Sequence, residues 1–240
     1  MVRVSRGFDI DLAQAHLRKH DRALARWMRK VEPVEQHPRW NKRFDTIDAL
    51  ARAILFQQLS GKAASTIVGR VEAATSSKLL HAAAFARADD PTLRACGVSG
   101  NKLLALRDLS AHAQRGEIPT ASKMAGMSDE AIIAALSAVR GIGTWTAQMM
   151  LMFNLGRPDV LPVDDLGIRK GAQIVDGLEA MPTPRELAVR GEAWGPYRTL
   201  AGMYLWRIAD ATKPAPAPKK RNPSTTSTTP MPTPTPRSRR

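Results

Sequence analysis

The sequence predicts an all-α protein. Alanine, leucine and arginine are abundant whereas runs of valine and isoleucine are scarce, and this balance favours helix over strand. Apolar residues recur at helical spacing in several segments, and no segment has the alternating pattern of a strand. With 240 residues, 43% of them hydrophobic and 24% charged, the chain is long enough to bury a core as one large domain or two small ones.

The first half of the chain contains three helical patterns. Residues 8–31 predict one or two helices, with Asp9 or Asp11 placed to cap the start. After a loop with two prolines, residues 44–60 have a strongly amphipathic pattern. The alanine-rich residues 61–75 then predict another helix.

The second half continues the helical series. A short loop is predicted at Asp90-Pro91, and residues 99–116 predict a helix. Ser128 is placed to cap a helix over residues 127–139, and a last long helix is predicted from about Tyr197 to Ala209. The chain then changes character, because residues 213–240 are mainly proline, threonine, serine and basic residues that cannot offset their ordering entropy. We therefore predict a disordered C-terminal tail and a folded body that ends near residue 212.

The charge of the chain predicts a polyanionic partner. The formal net charge is +14, from 36 Lys and Arg against 22 Asp and Glu. Seven basic residues and no acidic ones follow Asp210, so the rest of the chain still has 29 basic residues against 22 acidic ones. Lys and Arg gain affinity by releasing the counterions of phosphates. An anionic membrane is the weaker alternative, because no apolar run approaches the ~20 residues of a spanning helix.

Cysteine and histidine exclude several kinds of site. Cys96 is the single cysteine, which excludes a disulfide within the chain and any four-cysteine cluster, and we expect it to be a buried thiol. The histidines have no metal-ligand spacing, so no metal site is expected. This cysteine usage fits a reducing compartment, and we expect a cytoplasmic protein.

Residues 139–143, VRGIG, form a candidate hairpin between two helices. Gly141 and Gly143 would allow positive φ angles, and Ile142 would pack into the core. The backbone N–H groups from Gly141 to Thr144 could then bind a DNA phosphate. The alternative is that the two glycines only end a helix and turn the chain.

Four motifs together carry a family resemblance. They are AILFQQLSGKAA (53–64), GVSGNK (97–102), RGIGTWTA (140–147) and LPVDDLGIRKG (161–171). With these motifs the chain resembles the helix-hairpin-helix superfamily of DNA base-excision glycosylases, and most closely its DNA-3-methyladenine glycosylase II branch. The resemblance implies a two-lobed fold with the active site in the cleft between the lobes. A central lobe would comprise residues 46–160, and the two chain ends, 1–45 and 161–212, would form the other.

The resemblance also implies a catalytic carboxylate. Cleavage of an N-glycosidic bond builds positive charge on the sugar, which a nearby carboxylate stabilises. Asp165 matches the catalytic aspartate of the alkylpurine branch, and Asp164 is the alternate. The other aspartate would cap the helix that opens at Leu166, and a role as helix cap without chemistry is the alternative for both.

Further site residues follow from the same resemblance. Trp145 stands where strand-cutting relatives carry a Schiff-base lysine, so simple hydrolysis without lyase activity is expected. Trp145, Trp206 and Met149 would form the pocket for a cationic alkylated purine, although helical core packing is the alternative for Trp206 and Met149. Gln58, beside Gln57, would be the wedge that fills the gap left by an extruded nucleotide, unless both face solvent at a helix end.

These inferences combine into one predicted activity. We expect a monomeric DNA glycosylase that flips alkylated bases out of double-stranded DNA and leaves an abasic site, with Lys102 and Lys170 as candidate phosphate contacts. No cofactor is expected beyond a monovalent cation that the hairpin could hold. The alternatives are a glycosylase for another damaged base and a helix-hairpin-helix DNA-binding protein without catalysis.

Overall fold

A computed structural model describes residues 6–212, and these residues are helical with no strand, which confirms the predicted all-α class. The tail at 213–240, which we predict to be disordered, lies outside the described residues. The α-helices are α1 (Ile10–His20), α2 (Arg22–Met28), α3 (Thr46–Phe56), α4 (Gly61–Ala74), α5 (Ala82–Phe85), α6 (Asp90–Ala95), α7 (Gly100–Gln114), α8 (Ala121–Met124), α9 (Asp129–Ser137), α10 (Thr144–Met150), α11 (Leu166–Asp176), α12 (Pro184–Arg190) and α13 (Arg198–Ala211). Two 3-10 turns (Pro38–Asn41 and Gly191–Trp194) and a π-helical turn (Leu151–Leu155) complete the set.

Side chains of the predicted kind cap most of these helices. Asp9 caps α1 by accepting from the Leu12 N–H, and Ser128 caps α9 by accepting from the Ala131 N–H. The loop predicted at Asp90-Pro91 is wrong, because these residues open α6 with Asp89 as its cap. Proline fits a first helical turn, where its missing N–H needs no partner.

The two chain ends pack on each other. Helix α11 packs against α13. Helix α13 also contacts α1, and helix α11 also contacts α2. The central segment builds a second group in which α3 packs on α4 and α7. The buried apolar residues of both groups form one continuous cluster, so the lobe boundaries at 45/46 and 160/161 stay a prediction. Cys96 is a buried free thiol, as the sequence predicts.

A partly buried charge cluster links the helices of the two chain ends. Asp21 caps α2 and accepts hydrogen bonds from the Trp194 indole N–H at 2.7 Å and from Arg190. Arg190 also pairs with Asp176 at the end of α11. Burial alone would raise the pKa of Asp21, but the hydrogen bonds from Leu24, Trp194 and Arg190 outweigh it and hold the pKa below its usual value.

The depressed pKa of Asp21 predicts acid sensitivity. A carboxylate whose folded-state pKa is lowered contributes stability above its unfolded pKa, about 3.9, and this contribution is lost as the pH falls toward the folded pKa. Asp21→Asn should therefore lower the free energy of unfolding at pH 7 by about 3 kcal/mol and flatten its decline below pH 4. Denaturant titrations from pH 2 to pH 7 measure both effects. The exposed Asp11→Asn variant is the control. If the free energy of unfolding of Asp21→Asn fell with pH as steeply as that of the wild type, the stabilising role of Asp21 would be contradicted.

Candidate active site

Asp165 lies at the N-terminus of α11 and serves as its cap. Its backbone is extended, and its Oδ1 accepts a hydrogen bond from the Ile168 N–H at 2.8 Å. Asp165 immediately precedes the first helical residue, so its side chain reaches back over the first turn. The carboxylate therefore lies at the positive end of the dipole of α11.

Two tryptophans hold the same carboxylate. The indole N–H of Trp145 donates to Asp165 Oδ2 at 2.8 Å, and the indole N–H of Trp206 donates to Asp165 Oδ1 at 2.8 Å. These side chains come from α10, α13 and the start of α11. With three donors on two oxygens, the carboxylate has a fixed orientation.

Asp164 has a different environment. It is exposed, and the cap of α11 is formed by Asp165. The expectation that Asp164 caps the helix opening at Leu166 is therefore wrong, because Asp165 occupies the cap position and also accepts from the two indoles. The structure thus brings Asp165, and not Asp164, to the tryptophans. The catalytic role of Asp165 stays a prediction.

A row of rings extends from Trp206. Phe153 stacks on Trp206 with centroids 5.9 Å apart and planes 20° apart, and the His37 ring lies 5.0 Å from Phe153. Phe153 belongs to the π-helical turn that follows α10. Sequence reasoning missed both Phe153 and His37. The eight-residue spacing from Trp145 to Phe153, about two helical turns, could have indicated Phe153, whereas no signal in the sequence pointed to His37.

A cleft of about 1330 Å³ opens beside this row of rings. Trp145, Met149 and Phe153 line it, whereas Trp206 is not among its lining residues. The roles of Met149 and Trp206 in binding a base stay predictions. Trp145 is 48% exposed, which leaves much of the indole available to a ligand. The cleft is also lined by basic side chains: Arg39, Lys42, Arg43, Lys102 and Arg140.

The hairpin at 139–143 has the predicted shape with one correction. Ile142 is 3% exposed and packs into the core. Gly141 has φ +77°, but Gly143 has φ −92° and serves as the N-cap of α10, so a positive φ at Gly143 is wrong. A single left-handed residue is enough to reverse the chain here. Gly141, Gly143 and Thr144 are exposed, and their contact with a phosphate stays a prediction.

The loop between α3 and α4, residues 57–60, is the predicted wedge loop. Gln57 ends α3, and its Nε2 donates to the Gly141 carbonyl of the hairpin at 2.8 Å. Gln58 is exposed and has φ +56°, a conformation that costs a non-glycine residue roughly 1 kcal/mol. An exposed side chain held in a strained backbone is typical of a functional position, which favours Gln58 over Gln57 as the inserted residue.

The two candidate phosphate contacts differ. The Lys102 ammonium donates to the Leu55 carbonyl near the end of α3 at 2.8 Å, and burial lowers the pKa of this lysine. Lys170 is exposed on α11 and donates to Gln173 Oε1 at 2.9 Å. Their contact with DNA stays a prediction, and the position of Lys102 indicates that it also supports the wedge loop.

Residues 6–212 contain no group of three or more His, Cys, Asp or Glu side chains that could hold a metal ion. No helix of this part of the chain is long and apolar enough to cross a membrane.

Comparisons with known proteins agree with this geometry. Residues 51–196 match the family model described as HhH-GPD superfamily base excision DNA repair protein. The chain is 36% identical over 193 residues to DNA-3-methyladenine glycosylase 1 of Schizosaccharomyces pombe, covering 79% of each protein.

Two solved structures are also similar. A DNA-3-methyladenine glycosidase from Bacillus halodurans has a TM-score of 0.72 and 34% identity, over 82% of this chain and 88% of that one. The 3-methyladenine DNA glycosylase of S. pombe in complex with abasic DNA has a TM-score of 0.70 and 32% identity, over 81% of this chain and 94% of that one. Because the family model covers more than half of the chain, and these relatives match most of it, the chain belongs to the HhH-GPD superfamily of base excision DNA repair proteins.

Proposed function

We propose that this protein is a monofunctional DNA glycosylase that acts as a monomer on double-stranded DNA. It hydrolyses the N-glycosidic bond of alkylated bases of the 3-methyladenine and 7-methylguanine type and leaves an abasic site. The observation that carries the proposal is the Asp165 carboxylate, held by two indole N–H groups beside a cleft with basic walls. The names of the similar glycosylases, DNA-3-methyladenine glycosylase 1 among them, support the substrate class.

The carboxylate works by electrostatics. When the bond between C1′ and the base nitrogen breaks, its electron pair goes to the base, and positive charge develops on the sugar. The Asp165 carboxylate stabilises that charge and orients the water that adds at C1′, which then releases a proton to solvent. Because three donors fix the carboxylate before the reaction, little reorganisation is needed.

The tryptophans serve the leaving group as well. An indole N–H lies in the ring plane, so Asp165 meets the edges of Trp145 and Trp206 and leaves ring faces for other contacts. An electron-rich indole face attracts a flat cation such as an alkylated purine. A cationic base leaves as a neutral molecule, so it needs little general-acid help. With tryptophan at position 145, no lysine amine is present there to form a Schiff base.

Methylated duplex DNA tests the proposed activity. Incubation with the protein should release methylated purines, and the product strand should break only after alkali treatment, since hydrolysis leaves the backbone intact. Chromatography of the released bases and denaturing gels of the strand measure the two results. DNA binding without any released base would favour a non-catalytic helix-hairpin-helix protein, and strand cleavage without alkali would contradict monofunctional hydrolysis.

The wedge loop carries a separate prediction. Gln58→Gly should relax the strained backbone and raise the free energy of unfolding by up to about 1 kcal/mol, yet it should lower base release roughly 10-fold because nothing fills the gap beside the extruded nucleotide. Single-turnover rates, and fluorescence of 2-aminopurine placed next to the lesion, measure excision and extrusion. The exposed helical variant Gln114→Ala is the control. Excision at the wild-type rate by Gln58→Gly would remove Gln58 from the wedge role.

A further inference from the structure

His37 is a ring at the site that the mechanism above does not use. It immediately precedes the 3-10 turn at Pro38–Asn41, and its ring centroid lies 5.0 Å from that of Phe153. Phe153 stacks on Trp206, whose N–H reaches Asp165. The imidazole is therefore the far member of a row of three rings that ends at the candidate catalytic carboxylate.

The turn beside His37 is firmly anchored. Trp40 is fully buried, and its indole N–H donates to the Met152 carbonyl at 2.8 Å. Met152 is the neighbour of Phe153 in the π-helical turn. The backbone next to His37 is thus fastened to the backbone that carries Phe153, which fixes the distance between the two rings.

The hydrogen bonding of His37 defines its tautomer. Its Nδ1 accepts from the Arg39 N–H at 3.3 Å and so caps the 3-10 turn. An accepting ring nitrogen has no proton, so the neutral imidazole carries its proton on Nε2, on the opposite side of the ring. Burial, together with the charge of Arg39, lowers the pKa of His37. A neutral ring with an N–H donor therefore lies against Phe153, which lines the cleft.

We propose that His37 is a specificity-determining residue of the base pocket, whose Nε2–H donates to the O6 atom of an extruded 7-methylguanine. This inference rests on the proposed glycosylase function. The indole N–H groups of Trp145 and Trp206 are already taken by Asp165, and Met149 and Phe153 have no side-chain donor. Of these five side chains, Trp145, Met149 and Phe153 line the cleft, and His37 has an N–H that is not donated to Asp165. The cleft wall has other donors, such as Arg39 and Asn154, and His37 is distinguished from them by its ring contact with Phe153, which stacks on Trp206.

The donor discriminates between two purine classes. Guanine derivatives have an acceptor oxygen on C6, whereas adenine derivatives have an amino group there. An N–H opposite an amino group leaves two donors facing each other, and a site built to hydrogen-bond one group rejects the analogue that lacks it. His37 therefore favours 6-oxo purines such as 7-methylguanine relative to 3-methyladenine.

Two substitutions separate the role of His37 as a hydrogen-bond donor to the base from its role as the cap of the 3-10 turn. His37→Asn keeps a side-chain acceptor for the Arg39 N–H but removes the distal ring N–H. His37→Gln keeps an amide N–H at a similar reach and gives up the cap. His20→Asn, in α1 away from the residues that line the cleft, is the control for loss of a histidine.

Methylated DNA that contains both lesions allows the release of 7-methylguanine to be compared with that of 3-methyladenine in one sample. Release of 7-methylguanine should fall roughly 3- to 10-fold in His37→Asn, whereas release of 3-methyladenine should change less than twofold. His37→Gln should restore much of the ratio, and the melting temperature of His37→Asn should match that of the wild type. An unchanged ratio in His37→Asn, or an equal fall for both bases, overturns the role of His37. A wild-type protein that releases neither base would instead overturn the proposed glycosylase function.

Discussion

Asp165→Asn is expected to lower base release by at least roughly 100-fold. The substitution removes the negative charge that stabilises the positive charge on the sugar. Asparagine keeps an oxygen that can cap α11 and accept from an indole. The fold should therefore persist, and the loss should appear in the single-turnover rate and not in DNA affinity. Release of methylated purines, with melting temperature and duplex binding measured beside it, checks the expectation.

The neighbouring aspartate supplies a matched control. Asp164 is exposed and outside the cap, so Asp164→Asn removes the same charge one residue away. It should change the rate by less than about threefold, since exposed charges are screened by solvent. If Asp164→Asn were as inactive as Asp165→Asn, or if Asp165→Asn retained the wild-type rate, the catalytic assignment would fail.

Gly171→Ala is expected to destabilise the protein by at least about 2 kcal/mol. Gly171 lies in α11 where that helix crosses α13, and an added Cβ would lie 2.2 Å from the Leu205 carbonyl oxygen. The obstacle is backbone and not a flexible side chain, so the two helices must separate. Chemical denaturation measures the loss.

Substitution of a second glycine is expected to have the opposite effect on stability. Gly69 lies within α4, and nothing lies within 4 Å of an added Cβ. Gly69→Ala should stabilise the protein by roughly 0.5 to 1 kcal/mol through helix propensity.

Gly171→Ala should also slow base release, because α11 begins with Asp165 and α13 carries Trp206. Equal stability of the two variants would refute the close crossing of α11 and α13.

The sequence predicted the local features of the fold most fully. Asp9 and Ser128 cap the predicted helices because capping depends on residues three or four positions apart. The start of α6 at Asp90 resembles a loop in the sequence, because a proline near a helix start and a proline in a turn look alike there. The extended conformation of Gly143, for which the sequence predicts a positive φ, is likewise set by the surrounding structure.

Some features of the candidate site could be predicted from the sequence and others could not. Asp165, Trp145 and Trp206 were named through the family resemblance, because hydrogen bonds between residues 20 and 41 positions apart leave no periodic trace. That one residue would both cap α11 and meet the indoles could not be predicted from the motif. The position of His37 near Phe153 depends on the burial of Trp40 against the segment that contains Phe153. That contact joins residues more than a hundred positions apart, so the sequence does not reveal it.

The hydrogen bond from Gln57 to the Gly141 carbonyl bears on how this enzyme searches a genome. It joins the loop that would probe the base stack to the turn that would grip the strand, so the two are mechanically coupled. If the loop enters the base stack and the turn binds the strand, a movement of one would be transmitted to the other. Loss of this hydrogen bond would then let the protein hold the strand without probing its bases, so that it overlooks more lesions.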